Sequence, residues 1–229
     1  MDSLRAGDTW HRFNLMWIKI CGIRDVPTAL AVARAGADAI GLNFYAQSPR
    51  VVDPAMAAEI VAALDGAAEP VGVFVNHSLA DVRAICRQCG LRTVQLHGDE
   101  PPEQVAELSH DYRVIRAFRV GIEGMHSAEE YLDACRRLNA MPWACLVDAS
   151  VPGRFGGTGQ TAPWETLARD YKTAEWPPLI LAGGLRPDNV SQAIAVVEPW
   201  GVDVAGGVES SAACKDIELV REFVRNGKG

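Results

Sequence analysis

The sequence predicts a single (β/α)8 barrel, eight parallel strands inside a ring of outer helices. Three observations lead there. Short apolar runs alternate eight times with longer segments of helical period, the pattern of repeated βα units around a parallel sheet. No G-x-G-x-x-G follows the first run, which favours a closed barrel over a doubly wound open sheet. The 229 residues, 48% of them hydrophobic, are enough to bury one such core, and no long linker or low-complexity tract divides them.

Residues 1–16 read as a flexible N-terminal extension, and 17–229 as the barrel domain. The first unit joins the run Trp17 to Cys21 to a helix over Val26 to Ala35. The second joins Ala39 to Phe44 to Pro54 to Leu64, where Pro54 opens the helix and Asp53 stays outside it, because proline suits a first helical position. Val71 to Val75 and Leu79 to Cys89 form the third unit. In the fourth, Thr93 to Leu96 precedes Pro101 to Leu108, with Pro101 as the opening signal. Val114 to Phe118 with Ala128 to Leu138, and Ala144 to Asp148 with Ala162 to Tyr171, make the fifth and sixth. Leu179 to Ala182 leads to a helix that Pro187 opens and Val196 ends, and Val202 to Val204 leads to Asp216 to Val224.

A net charge of -7 gives no basic footprint for a phosphodiester backbone or an anionic lipid surface, so nucleic acid and membrane are disfavoured partners. A bound phosphate must then be held locally, by backbone N–H groups. The six cysteines, at 21, 86, 89, 135, 145 and 214, are spread through a chain far larger than a disulfide-stapled scaffold and read as free thiols of a cytoplasmic protein. Cys86 and Cys89 form a C-x-x-C, but within a helix and with no second ligand pair to complete a zinc site. Residues 1–16 lack a signal-peptide core, and no run approaches a transmembrane span.

In a (β/α)8 barrel the active site is built at the C-terminal ends of the strands. Residues that end the apolar runs are Cys21, His97, Asp148 and the pairs Gly183–Gly184 and Gly206–Gly207. Successive strand residues face opposite ways, so an inward Cys21 carries Lys19 inward, and an inward Asp148 carries Leu146. Strands 1 and 6 lie three apart around the ring. A thiol and a carboxyl then flank a ligand over the mouth, one to give a proton and one to take it. The glycine pairs after strands 7 and 8, with Gly157 and Gly159 in the loop after strand 6, let backbone N–H groups approach an anion. A buried Lys19 is expected to pair with Asp203 on neighbouring strand 8, and to lower the Cys21 thiol. His97 has two readings, a packed strand-end residue or a ligand-binding one. Asn76, Asp99 and Glu209 read as structural.

The ordered series Lys19-Ile20-Cys21-Gly22-Ile23, Ser48-Pro49-Arg50, Gly72-Val73-Phe74-Val75-Asn76, Gln95-Leu96-His97-Gly98, Asp148, Gly156-Gly157-Thr158-Gly159, Leu181-Ala182-Gly183-Gly184-Leu185 and Gly201-Val202-Asp203-Val204 resembles the phosphoribosylanthranilate isomerase family of tryptophan biosynthesis. The resemblance covers nearly the whole chain from Trp17 onward. It implies an Amadori rearrangement of N-(5-phosphoribosyl)anthranilate to 1-(2-carboxyphenylamino)-1-deoxyribulose 5-phosphate, with Asp148 as general acid, Cys21 as general base, Arg50 on the anthranilate carboxylate, and no metal or organic cofactor. A monomer or homodimer is expected, in possible contact with other enzymes of the pathway. One departure stands out. Where the family usually has two serines before Gly-Val-Glu, this chain has Ala205-Gly206 before Gly207-Val208-Glu209, which removes two hydroxyls from the expected phosphate site. Three alternatives remain: a phosphosugar epimerase, which needs metal-binding histidines that this chain lacks at most strand ends; an isomerase that also accepts the histidine-pathway substrate, which is expected to use two aspartates; and a non-catalytic phosphate-binding barrel.

Overall fold

A computed structural model describes residues 16–120, 124–149 and 164–229, apart from the side chains of Val120 and Ala149. Eight parallel strands close into one barrel in sequence order. They are β1 (Trp17–Cys21), β2 (Ala39–Asn43), β3 (Glu69–Phe74), β4 (Thr93–Leu96), β5 (Arg113–Val120), β6 (Ala144–Ala149), β7 (Leu179–Leu181) and β8 (Gly201–Val204). The helices between and after them are α1 (Val26–Arg34), α2 (Pro54–Leu64), α3 (Leu79–Cys89), α4 (Pro102–Leu108), α5 (His126–Arg137), α6 (Trp164–Asp170), α7 (Val190–Val197) and α8 (Ile217–Lys228).

Helix starts follow local chemistry. The Asp25 side chain accepts from Thr28 N–H ahead of α1, Asp53 from Ala55 N–H ahead of α2, and Ser78 from Asp81 N–H ahead of α3, each satisfying a donor that lacks an intrahelical partner. Pro54 is a first helical residue as expected, whereas Pro101 is the cap and Pro102 begins α4. Pro187 does not open α7. It begins a turn in which Asn189 N–H and Val190 N–H both donate to Arg186 O, and the helix starts only at Val190.

Two elements differ from the sequence reading in ways that matter for the mouth. β5 extends to Val120, so Arg119 lies within the strand, in register with Asp148 of β6. Arginines at 113, 116 and 119 interrupt the apolar run, yet each is held in a ladder, Arg113 with β4, Arg116 with both neighbours and Arg119 with β6. After β8 the chain forms a 3-10 turn (Gly206–Val208) and then a small hairpin, β9 (Glu209–Ser211) with β10 (Cys214–Lys215), which no periodicity announced.

The strand pleat divides the core into two shells. Ile18, Ile20, Cys145 and Val147 point outward into the layer shared with the helices. Ala39, Val71, Ile115, Ala117, Leu146, Ile180 and Ala182 fill the barrel. Trp17, Trp143 and Trp200 pack against that inner cluster at the N-terminal end, Trp17 stacking on Trp200 at 5.1 Å between ring centroids. This closes the floor and leaves the opposite end for a ligand. Residues 1–15 lie outside the described residues, and among those described no helix is long and apolar enough to cross a membrane.

Candidate active site

Cys21 closes β1 and is buried. Two residues below it on the same face is Lys19, fully buried, whose Nζ donates to Asp203 Oδ1 at 2.7 Å. β1 pairs with β8 so that Lys19 and Asp203 are register partners, which bears out the expected ion pair. On the other side Cys21 is in register with Gly41 of β2, and a Cβ there would lie 2.6 Å from Cys21 Sγ. Gly41 therefore makes the room that the thiol occupies.

Asp148, buried near the end of β6, lies across the mouth from Cys21. His97, directly after β4, brings Nε2 to 3.4 Å from Asp148 Oδ2, and Gln95 Nε2 is 2.7 Å from His97 Nδ1. His97 Nε2 makes no hydrogen bond among the described residues, so its approach to Asp148 is one of proximity. Arg119 donates through Nη2 to His97 O at 3.1 Å. His97 thus lies beside the candidate acid, a position compatible with both of its readings.

Arg50, in the loop after β2, runs its stem over Gly22, where a Cβ would lie 2.5 Å from Arg50 Cδ. Its Nε and Nη2 donate to Glu209 Oε1 and Oε2, each at 2.7 Å, the two-point geometry in which a guanidinium matches a carboxylate. Lys215 Nζ also donates to Glu209 Oε1 at 2.6 Å and to Ala205 O at 2.9 Å. Glu209 was read as structural. It proves to be a buried carboxylate joining the β8 loop to Arg50.

The charges around Cys21 set its proton affinity. Burial pushes the thiol above its ordinary 9.0. Lys19, Lys215 and Arg50 pull it down and Asp203 pushes it up, and desolvation prevails. Lys19 acts in the direction expected of it but does not produce a lowered thiol. For Lys19 itself, burial works against the charge, and Asp203 and Cys21 outweigh it, so the ammonium is held above its ordinary 10.5. Glu209 is held below the ordinary 4.5: burial opposes its charge, and the bonds from Arg50 and Lys215 more than offset this.

A cavity of about 310 Å³ opens between the ends of β6, β7 and β8, walled by Asp148, Ala182, Gly183, Gly184, Leu185, Arg186, Asp203, Val204, Ala205, Gly206 and Gly207. Gly183 (φ +87°) and Gly184 (φ +68°) adopt the left-handed region that a side chain disfavours, which turns the strand end sharply at the cavity wall. Gly207 has a different reason, since a Cβ there would overlap the Leu185 carbonyl oxygen, so the β7 and β8 loops touch through it. Gly206 lies against the Arg50 head, 3.3 Å from Nη2 to an added Cβ. Four of the six expected glycines, Gly183, Gly184, Gly206 and Gly207, line the cavity; Gly157 and Gly159 lie outside the described residues.

Cys21, His97 and Arg50 are not on that wall; they flank it, Cys21 and Arg50 beyond β8 and His97 beyond β6. The sequence reading missed Gly41, Lys215, Arg119 and Arg186 as site residues. Strand register was the available signal for Gly41, which pairs with Cys21, and for Arg119, which lies within a strand whose limits were set too short. Nothing local marked Lys215, which a hairpin folds back to the mouth.

The comparisons with known proteins agree with the fold. The family model described as N-(5'phosphoribosyl)anthranilate (PRA) isomerase matches residues 18–226. A Geobacter sulfurreducens protein named N-(5'-phosphoribosyl)anthranilate isomerase is 46% identical over 213 residues, 93% of this chain and 98% of that protein. Its Geobacter metallireducens namesake is 44% identical over 212 residues, 92% and 98% of the two chains. The crystal structure of phosphoribosyl anthranilate isomerase from Thermotoga maritima superposes with a TM-score of 0.83 at 35% identity, covering 94% of this chain and all (100%) of that one. A structure of such an isomerase with reduced 1-(o-carboxyphenylamino)-1-deoxyribulose 5-phosphate has a TM-score of 0.80 at 33% identity, with coverage of 94% and 100%. With its closed barrel and a match running from β1 into α8, the chain belongs to the N-(5'-phosphoribosyl)anthranilate isomerase family.

Proposed function

We propose that this protein isomerises N-(5'-phosphoribosyl)anthranilate to 1-(2-carboxyphenylamino)-1-deoxyribulose 5-phosphate in tryptophan biosynthesis, with Asp148 as general acid and Cys21 as general base. The observation that carries the mechanism is a thiol and a carboxyl, both buried, at the ends of β1 and β6 on either side of a glycine-walled cavity. Asp148 protonates the furanose ring oxygen as the C1–O bond breaks, and the nitrogen lone pair forms the C1=N bond of a Schiff base. Cys21 thiolate then removes the C2 proton, and the C–H electrons form the C1–C2 double bond while the C=N electrons return to nitrogen. Protonation of the enolamine at C1 and loss of the C2 hydroxyl proton leave the ketone, so no electrons enter or leave overall.

The raised proton affinity of Cys21 fits a base that works briefly and strongly: its thiolate is scarce, yet more basic than an ordinary one. The backbone at Gly183 and Gly184 offers a side-chain-free wall for the sugar phosphate. Arg186, on the same wall and paired among the described residues only with the exposed Asp188, supplies a cation where Ala205 and Gly206 supply no hydroxyl. Arg50 receives the aryl carboxylate.

The test is turnover of freshly generated substrate, followed by loss of its anthranilate fluorescence. Wild type is expected to be active, and Cys21→Ala and Asp148→Ala each to lose at least about a hundredfold in kcat while retaining wild-type circular dichroism, the scale on which acid-base groups act. An inactive wild type removes the reading. Full activity in either variant removes that residue's role.

A further inference from the structure

The guanidinium of Arg50 has two edges that can each bind a carboxylate at two points, a side edge of Nε and Nη2 and an end edge of Nη1 and Nη2. Glu209 occupies the side edge. Among the described residues no partner takes Nη1. Glu209 itself is saturated: Oε1 accepts from Arg50 Nε and Lys215 Nζ, and Oε2 from Arg50 Nη2 and, at 3.2 Å, from Ala213 N–H. It has no lone pair to spare for a ligand. Exposure rises outward along the chain of contacts, from 1% for the Lys215 side chain through 4% for Glu209 to 15% for Arg50, so the arginine is the member that reaches solvent.

We infer that Glu209 is a positioning residue for Arg50: by gripping the side edge, with Lys215 and the Ala213 amide fixing the grip from behind, it commits the end edge to the carboxylate of the substrate's aryl ring. The inference rests on the isomerase reading above. An unheld arginine samples many rotamers, and ordering it on binding opposes affinity. Glu209 removes that cost before the substrate arrives. The fork can take a carboxylate or a phosphate, but the phosphate is assigned to the glycine wall at Gly183 and Gly184 on the loop after β7, which leaves the arginine to the carboxylate. Gly206, beside Nη2, leaves the arginine head uncrowded.

The bland alternative is that Arg50–Glu209 merely latches the β8 loop to β2. The two differ in what they do to selectivity. The experiment compares kcat and KM of the full-length wild type and Glu209→Gln with two substrates, N-(5'-phosphoribosyl)anthranilate and N-(5'-phosphoribosyl)aniline, which lacks the carboxylate. Losing a charge-assisted, two-point hold is expected to raise KM for the first about tenfold or more, with kcat within about threefold, because the carboxylate is bound equally in ground and transition states. For the aniline substrate both constants are expected to stay within about twofold, so the variant loses its preference for the carboxylate. Equal losses with both substrates overturn the inference in favour of a loop latch. Wild-type inactivity with the anthranilate substrate overturns the isomerase reading, and this inference with it. Should Glu209→Gln fail to fold by circular dichroism, Glu209→Asp carries the same comparison, since the shorter side chain keeps the charge beside Lys215 but withdraws the carboxylate from the side edge of Arg50.

Discussion

Lys19 and Asp203 face each other inside the barrel because neighbouring strands share a register, and neither charge is tolerable there alone. Lys19→Met is expected to cost about 3–5 kcal/mol of stability by leaving Asp203 buried and unpaired. Lys19→Met with Asp203→Leu should recover much of it, and urea melts of the single and double variants check both. The same double variant should titrate Cys21 at higher pH than wild type, read as the pH dependence of its alkylation by iodoacetamide, because Lys19 pulls the thiol down more than Asp203 pushes it up. Gly41 gives a second residue-scale expectation. Gly41→Ala sets a Cβ 2.6 Å from Cys21 Sγ and must displace it, so activity should fall at least about tenfold, the usual penalty for a misplaced reacting group, with the barrel intact by circular dichroism. The candidate acid and base were legible in the sequence because they end apolar runs. Gly41 was not, since its importance lies in what stands beside it on another strand.

At the scale of elements, legibility followed local chemistry. The bounds of α2 and α3 were read correctly because Asp53 with Pro54, and Ser78 with Gly90, mark the chain within a few residues. Ser78→Ala should remove the bond to Asp81 N–H and destabilise α3 by about 1 kcal/mol, measurable as a lower urea midpoint with an unchanged slope. α7 was misjudged because Pro187 initiates a turn as readily as a helix, and only the packing of the turn decides which. β9 and β10 are too short for a period to register. They are nevertheless the element that brings Glu209 and Lys215 to Arg50, and their bonds reach across to the β2 loop.

For the molecule as a whole, buried thiols make stability depend on alkaline pH. Burial, aided by Cys89, raises Cys86 to about 12, and burial raises the fully enclosed Cys145 likewise to about 12, from an ordinary 9.0. In the unfolded chain both ionise near 9.0, while the folded protein keeps its protons until about pH 12. Between those values the native state binds more protons than the unfolded one, so stability is full below pH 9.0 and is lost as pH rises towards 12. Replacing both thiols, Cys86→Val with Cys145→Val, should flatten that alkaline slope in urea midpoints measured across the range; an unchanged slope would assign it to other groups. Glu209 acts at the acid end with the opposite sign. Its folded value lies below 4.5, so its contribution is present above that pH and disappears as pH falls through the folded value.

By itself the sequence determined the alternation of strand and helix, the strand-end positions of Cys21, His97 and Asp148, the glycines at the mouth, and the opposition of Lys19 to Asp203. All of these follow from period, from capping chemistry or from the fixed order of a parallel barrel, which are properties of a few neighbouring residues or of one repeating rule. Tertiary structure alone decided that desolvation outweighs three cations at Cys21, that Arg119 of β5 stands in register with Asp148, and that Arg50 is held by Glu209. The physical reason is distance along the chain. Arg50 and Glu209 are 159 positions apart, and whether two such side chains meet depends on the path of every element between them, not on any pattern that either carries.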